Sequence, residues 1–164
     1  KRTALRIKQR IRVGIAQQWI MAEPSPKETL EVCYRLDYGP DSPIGRSQYE
    51  AVVDEDTFYH AIAPARTFIH QTDAKALQKQ GLARHVTERD LLVFDDHGPV
   101  NNQLRYADEC ARHKALDLIG DLALTGVDLV GRITACRSGH QLNGEMAEQL
   151  LNLFADQCGA VRAA

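Results

Sequence analysis

Aromatic side chains are scarce, at 6% of 164 residues, so the chain offers no platform on which nucleobases could stack. An excess of positive charge is missing too: the formal net charge is -2, which removes the bulk electrostatic case for nucleic acid as a partner. No apolar run approaches the roughly 20 residues that span a bilayer, and nothing resembles a secretory signal. A soluble protein without a transmembrane segment is therefore expected. The four cysteines, Cys33, Cys110, Cys136 and Cys158, form no CxxC pair, which favours buried reduced thiols over disulfides. An initiator methionine is absent as well. The chain opens Lys1-Arg2-Thr3 and starts to alternate almost at once, the pattern of a segment taken from something longer.

What is present is an apolar content of 44%, enough at this length for one globular domain over residues 1–164. Leu5, Ile7, Ile11 and Val13 alternate with Arg6, Lys8, Arg10 and Arg12, which predicts a half-buried strand with a solvated basic face. A second alternation over Leu30–Tyr38 predicts a strand paired antiparallel with its neighbours, and a third strand is expected near Ser47–Val53. Asp54 or Asp56 can cap a short helix that Pro64 ends. Helical spacing follows from Asp73 to the stop at Gly81, then a buried strand at Leu91–Phe94. The second half reads as a helix over Ala107–Leu124, a strand over Val127–Cys136 and a helix from Asn143, as cap, to Cys158, with Gly159 as terminator. Strands first and helices later predict an α+β fold, a two-layer sandwich of a mostly antiparallel sheet packed against helices.

In the helix after Ala107, His113, Asp117 and Asp121 are spaced at i, i+4 and i+8 and share one face, opposite the apolar stripe Ala111, Ala115, Leu118 and Leu122. The core therefore does not require them. An imidazole and a carboxylate one turn apart can grip one cation, and nitrogen plus oxygen ligands suit zinc. A catalytic zinc usually takes three protein ligands, so two are only part of a site. On spacing alone, a solvated helix face is the simpler reading. The second feature is Arg137-Ser138-Gly139-His140, where a strand ends and a histidine is presented just before a helix. His140 could donate a proton, with Asp121 available to fix its tautomer. A mere turn histidine is the simpler reading there.

The run from Leu104 through Arg105, His113, Lys114, Asp117 and Asp121 to Leu122, followed by Ser138-Gly139-His140-Gln141-Leu142-Asn143, closely resembles the UDP-3-O-acyl-N-acetylglucosamine deacetylases of lipid A biosynthesis, the LpxC family. Ala65-Arg66-Thr67-Phe68 matches a further family motif, and the resemblance extends over nearly the whole chain. It implies the C-terminal domain of a two-domain zinc deacetylase acting in the cytoplasm. By the same resemblance His113 and Asp117 would bind Zn2+, and His140 would be the general acid, charged and steadied by Asp121. Lys114 would face the nucleotide or hexosamine portion of the substrate. Thr67 and Phe68 would line its sugar and acyl side. Arg137 stands where the family often has lysine, which keeps the charge and changes the geometry of a diphosphate contact. An inserted segment near 70–89, read as helical, would form the acyl passage, with Arg84-His85 where many members have a glycine pair.

The third zinc ligand and the general base belong to the family's N-terminal domain, as a histidine preceded by a glutamate. No Glu-His pair occurs in this chain. The isolated segment is accordingly expected to bind zinc weakly and to be inactive. The alternative of a different class is a non-catalytic α+β binding module with a solvated His/Asp helix face. A metal-independent hydrolase fits less well, because no serine or cysteine has a nucleophile context. His60, His70, His85 and His97 match no metal spacing and read as surface or structural residues.

Overall fold

The computed structural model describes residues 4–82, 86–87 and 90–162, with side chains described to residue 155. Its main sheet runs β2 (Ile11–Ile15), β3 (Gln18–Glu23), β9 (Asp128–Cys136), β4 (Leu30–Asp37), β5 (Arg46–Val53), and β1 (Ala4–Arg6) pairs with the start of β9. Two helices form the second layer: α3 (Glu109–Ala123) lies against β4 and β5, and α4 (His140–Arg162) against β2 and β3. Between the layers, Ile20, Val32, Tyr34 and Ile133 meet Ala111, Ala115, Leu118, Leu122, Met146 and Leu150. The α+β sandwich expected from element order is the observed architecture.

The predicted strand over Leu5–Val13 is two strands. β1 runs parallel along Asp128–Val130, whereas β2 pairs antiparallel with β3, which in turn takes Arg132–Cys136 of β9. Apart from Gln9, the apolar residues keep one register through both pieces, so periodicity cannot see the handover between partners. Gly131 sits at that handover with φ +148°, and a Cβ there would lie 2.9 Å from the Glu23 carbonyl oxygen and from Ile7 Cβ. Strand β3 escapes sequence reading because Trp19-Ile20-Met21-Ala22 is apolar at every position. Strand β4 meets β5 antiparallel as expected, but its other neighbour, β9, is parallel.

A cap at Asp54 opens a short helix, α1 (Glu55–Thr57), which continues as a π-helical turn over Phe58–Ile62 before Pro64. A separate small sheet holds β6 (Thr67–His70), β7 (Leu91–Asp95) and β8 (Gly98–Pro99). Its first two strands are parallel and joined through α2 (Gln71–Lys79), with His70 as N-cap. The segment read as a helical insert thus belongs to a strand-helix-strand unit. Arg84 and His85 lie outside the described residues. Helix α4 begins three residues before the predicted cap: the Asn143 N–H already donates to the Gly139 carbonyl. Asn143 is fully buried inside the helix, and Gly159 does not terminate it, since the backbone stays helical to Arg162.

Candidate functional site

Helix α3 is anchored at its first turn. Arg112 Nε donates to Asp108 at 2.6 Å, and its guanidinium lies over the rings of Tyr49 and Tyr106, 4.5 and 4.2 Å from their centroids. Glu109, fully buried, accepts from the Arg66 side chain at 2.8 and 3.0 Å and from the backbone N–H groups of Arg66 and Arg105. Burial alone would raise its pKa; the hydrogen bonds from Arg66 and Arg105 outweigh that and hold it below the usual glutamate value.

One turn on, His113 Nδ1 meets the Ala65 carbonyl at 3.1 Å, and Nε2 lies 3.3 Å from Asp117 Oδ1. Their side chains are only 16% and 17% exposed, so this face is not a solvated stripe. Asp117 Oδ2 accepts from Lys114 Nζ at 2.7 Å. Phe68 packs edge-on to His113, with ring centroids 6.3 Å apart, and to Tyr38 at 5.8 Å. Thr67, exposed at the head of β6, comes with Phe68 by sequence adjacency.

The far end of α3 meets the start of α4. Asp121 Oδ2 lies 2.8 Å from His140 Nδ1 and accepts from Asn143 Nδ2 at 2.8 Å. The His140 ring is 73% exposed, with its Nε2 unpartnered among the described residues. The preceding loop is fixed from below: buried Tyr34 donates its hydroxyl to the Ser138 carbonyl at 2.5 Å, and Arg137 takes a left-handed φ of 51°. Burial raises the Tyr34 phenol far above its ordinary pKa, so it stays a donor. Arg137, Lys114, His140 and Tyr38 all line a cavity of about 780 Å³. His113, Asp117 and Asp121 lie outside its lining.

The donor set fits a tetrahedral cation. His113 Nε2 and Asp117 Oδ1, 3.3 Å apart, match the roughly 3.4 Å span between two ligands held at about 2.1 Å on zinc. Among the described residues no group of three His, Cys, Asp or Glu side chains could hold a metal ion, so this pair is an incomplete set by itself. Sequence reading missed Arg66, Glu109, Asn143, Tyr34 and Tyr38. The first two were visible as charged residues in motifs otherwise assigned, but nothing in the sequence marks them as partners 43 positions apart.

The sequence profile described as LpxC: UDP-3-O-acyl N-acetylglycosamine deacetylase matches residues 1–152. A UDP-3-O-acyl-N-acetylglucosamine deacetylase of Leptospira biflexa serovar Patoc is 39% identical over 128 residues, covering 77% of this chain and 42% of that protein. The protein of the same name from Brucella ovis is 37% identical over 155 residues, covering 93% of this chain and 53% of the relative. The chain spans about half the length of the curated relatives it matches.

Proposed function

The chain belongs to the UDP-3-O-acyl N-acetylglycosamine deacetylase family, and we propose that it is the C-terminal domain of a two-domain zinc amidohydrolase that removes acetate from UDP-3-O-acyl-N-acetylglucosamine in lipid A biosynthesis. Residues 1–164 form one domain in this reading. The N-terminal domain supplies the third zinc ligand and the general base. The observation that carries the proposal is the joint placement of two side-chain pairs: His113 with Asp117 on α3, and Asp121 of α3 with His140 at the start of α4.

His113 and Asp117 would hold Zn2+, which when bound supplies Lewis-acid polarisation of the acetamide carbonyl and a water of lowered pKa. The chain's own residues then divide the work. Asp121 holds His140 through Nδ1, so the proton on Nε2 faces outward, toward the leaving nitrogen. Water adds to the carbonyl carbon as its proton passes to the general base of the N-terminal domain, the C–N bond breaks, and the His140 proton passes to the amine, so acetate and the free amino sugar leave. Lys114 and Arg137 place two cations on the wall of the cavity, which suits the anionic diphosphate of the nucleotide. Phe68, with Tyr38 against it, offers an apolar edge to the sugar and acyl side, and Thr67 extends it. No described helix is long and apolar enough to cross a membrane, and the proposed setting is the cytoplasm.

The test is deacetylation by the natural protein that contains this chain. His113→Ala and His140→Ala should each lower kcat at least about 100-fold, in line with the usual size of general acid catalysis. Unchanged turnover in either variant ends the assignment. Calorimetry on the chain alone should give weaker zinc binding than on the whole protein, and equal affinity would contradict a site divided between domains.

A further inference from the structure

Arg66 and Glu109 form an ion pair that is 7% and 0% exposed, at 2.8 Å between Nε and Oε1. A buried pair of this kind is no more stabilising, as a rule, than apolar residues of the same volume. Its geometry has a second consequence. The Arg66 N–H that donates to Glu109 at 3.1 Å and the Ala65 carbonyl that meets His113 Nδ1 at 3.1 Å belong to one peptide group. That group is planar and rigid. Glu109 and His113 are one helical turn apart on the same face of α3, so a single peptide spans them like a strut.

We propose that Arg66 and Glu109 are positioning residues for His113: the ion pair clamps the Ala65–Arg66 peptide so that its carbonyl holds the imidazole as the Nδ1–H tautomer with Nε2 aimed at Asp117. The proposal rests on the reading of His113 as a metal ligand. A carbonyl only accepts, so Nδ1 must carry the hydrogen. In the neutral imidazole a metal ion requires, Nε2 then carries the lone pair, 3.3 Å from Asp117 Oδ1. The guanidinium is itself braced, donating to Asn102 Oδ1 and to the Gln103 carbonyl at 2.8 Å each, which leaves the strut little room to rotate. Glu109 also accepts from the Arg105 N–H at 2.6 Å, tying the same carboxylate to the start of the helix.

The experiment pairs Glu109→Gln with the double substitution Arg66→Met/Glu109→Leu. In Glu109→Gln the new amide N–H₂ faces the Arg105 N–H or an Arg66 donor, so the clamp opens. The double variant removes the charges together and guards against loss of fold. The first readout needs no metal: two-bond ¹H–¹⁵N spectra of histidine-labelled chain should show His113 as the Nδ1–H tautomer in the wild type and as a mixture in both variants. The second is zinc affinity of the natural protein, by competition with a chromophoric chelator, which should fall about 10–100-fold. A folded variant that keeps a single Nδ1–H tautomer and wild-type affinity overturns the proposal. So does failure of both variants to fold, which would assign the pair to folding alone. If His113→Ala leaves zinc affinity unchanged, the metal-ligand reading itself fails; if His113→Ala weakens it and Glu109→Gln does not, only the strut fails.

Discussion

Gly131→Ala adds one methyl group where strands β1 and β3 hand over along β9, and the structure gives that methyl no room. The backbone there has φ +148°, a conformation that costs an L-residue about 1–3 kcal/mol. The new Cβ would lie 2.9 Å from the Glu23 carbonyl oxygen, from Ile7 Cβ and from Ile7 Cδ1. Ile7 is 1% exposed, so its side chain has nowhere to retreat, and overpacking of this sort costs a further 1–3 kcal/mol or so. Against this, losing a glycine lowers the entropy of the unfolded chain by about 0.4–1 kcal/mol. The net expectation is destabilisation by about 1–6 kcal/mol. The control is Gly144→Ala in α4, an exposed helical position where a Cβ meets nothing within 4 Å. There the same substitution should stabilise by roughly 0.5–1 kcal/mol, the helix propensity difference. Urea unfolding of both variants, followed by circular dichroism, measures the two changes. Shifts of the same sign at both positions would refute the argument that backbone conformation and contact at Gly131 decide the outcome.

Two further expectations follow from burial and pairing. Asp121→Ala removes the acceptor for Asn143 Nδ2, and Asn143 Oδ1 is already buried without a partner among the described residues, so the amide is stranded. Thermal melts should report a loss of about 1–3 kcal/mol, while His140→Ala, which removes a ring that is 73% exposed, should cost well under 1 kcal/mol; equal losses would contradict this division. Among the described cysteines, native-state alkylation mapped by mass spectrometry should modify half-buried Cys136 well ahead of Cys33 and Cys110. Both of the latter are buried, and burial pushes the Cys110 thiol up to about 12, so faster modification of Cys110 than of Cys136 would show that the packing over α3 is looser than described.

What could be read from the sequence alone was whatever repeats at short range. The strands at Leu30–Asp37 and Arg46–Val53, the helix over Glu109–Ala123 and the Asp54 cap each leave a local periodic or capping signature. The shared helical face of His113, Asp117 and Asp121 is likewise a matter of spacing, and the family motifs around it are contiguous. What only the tertiary structure decided depends on groups brought together from far along the chain. The split of the first strand depends on which part of β9 each piece meets, and Asn143 turned from cap to buried partner because α3 supplies Asp121 as its acceptor. The clearest case is the Ala65–Arg66 peptide. Spacing could place a histidine and an aspartate one turn apart, but the direction of the imidazole is set by a carbonyl 48 residues away, itself held by a buried ion pair across 43 residues. Hydrogen bonds over such separations leave no periodic trace, because their partners are chosen by packing of the elements and not by distance along the chain.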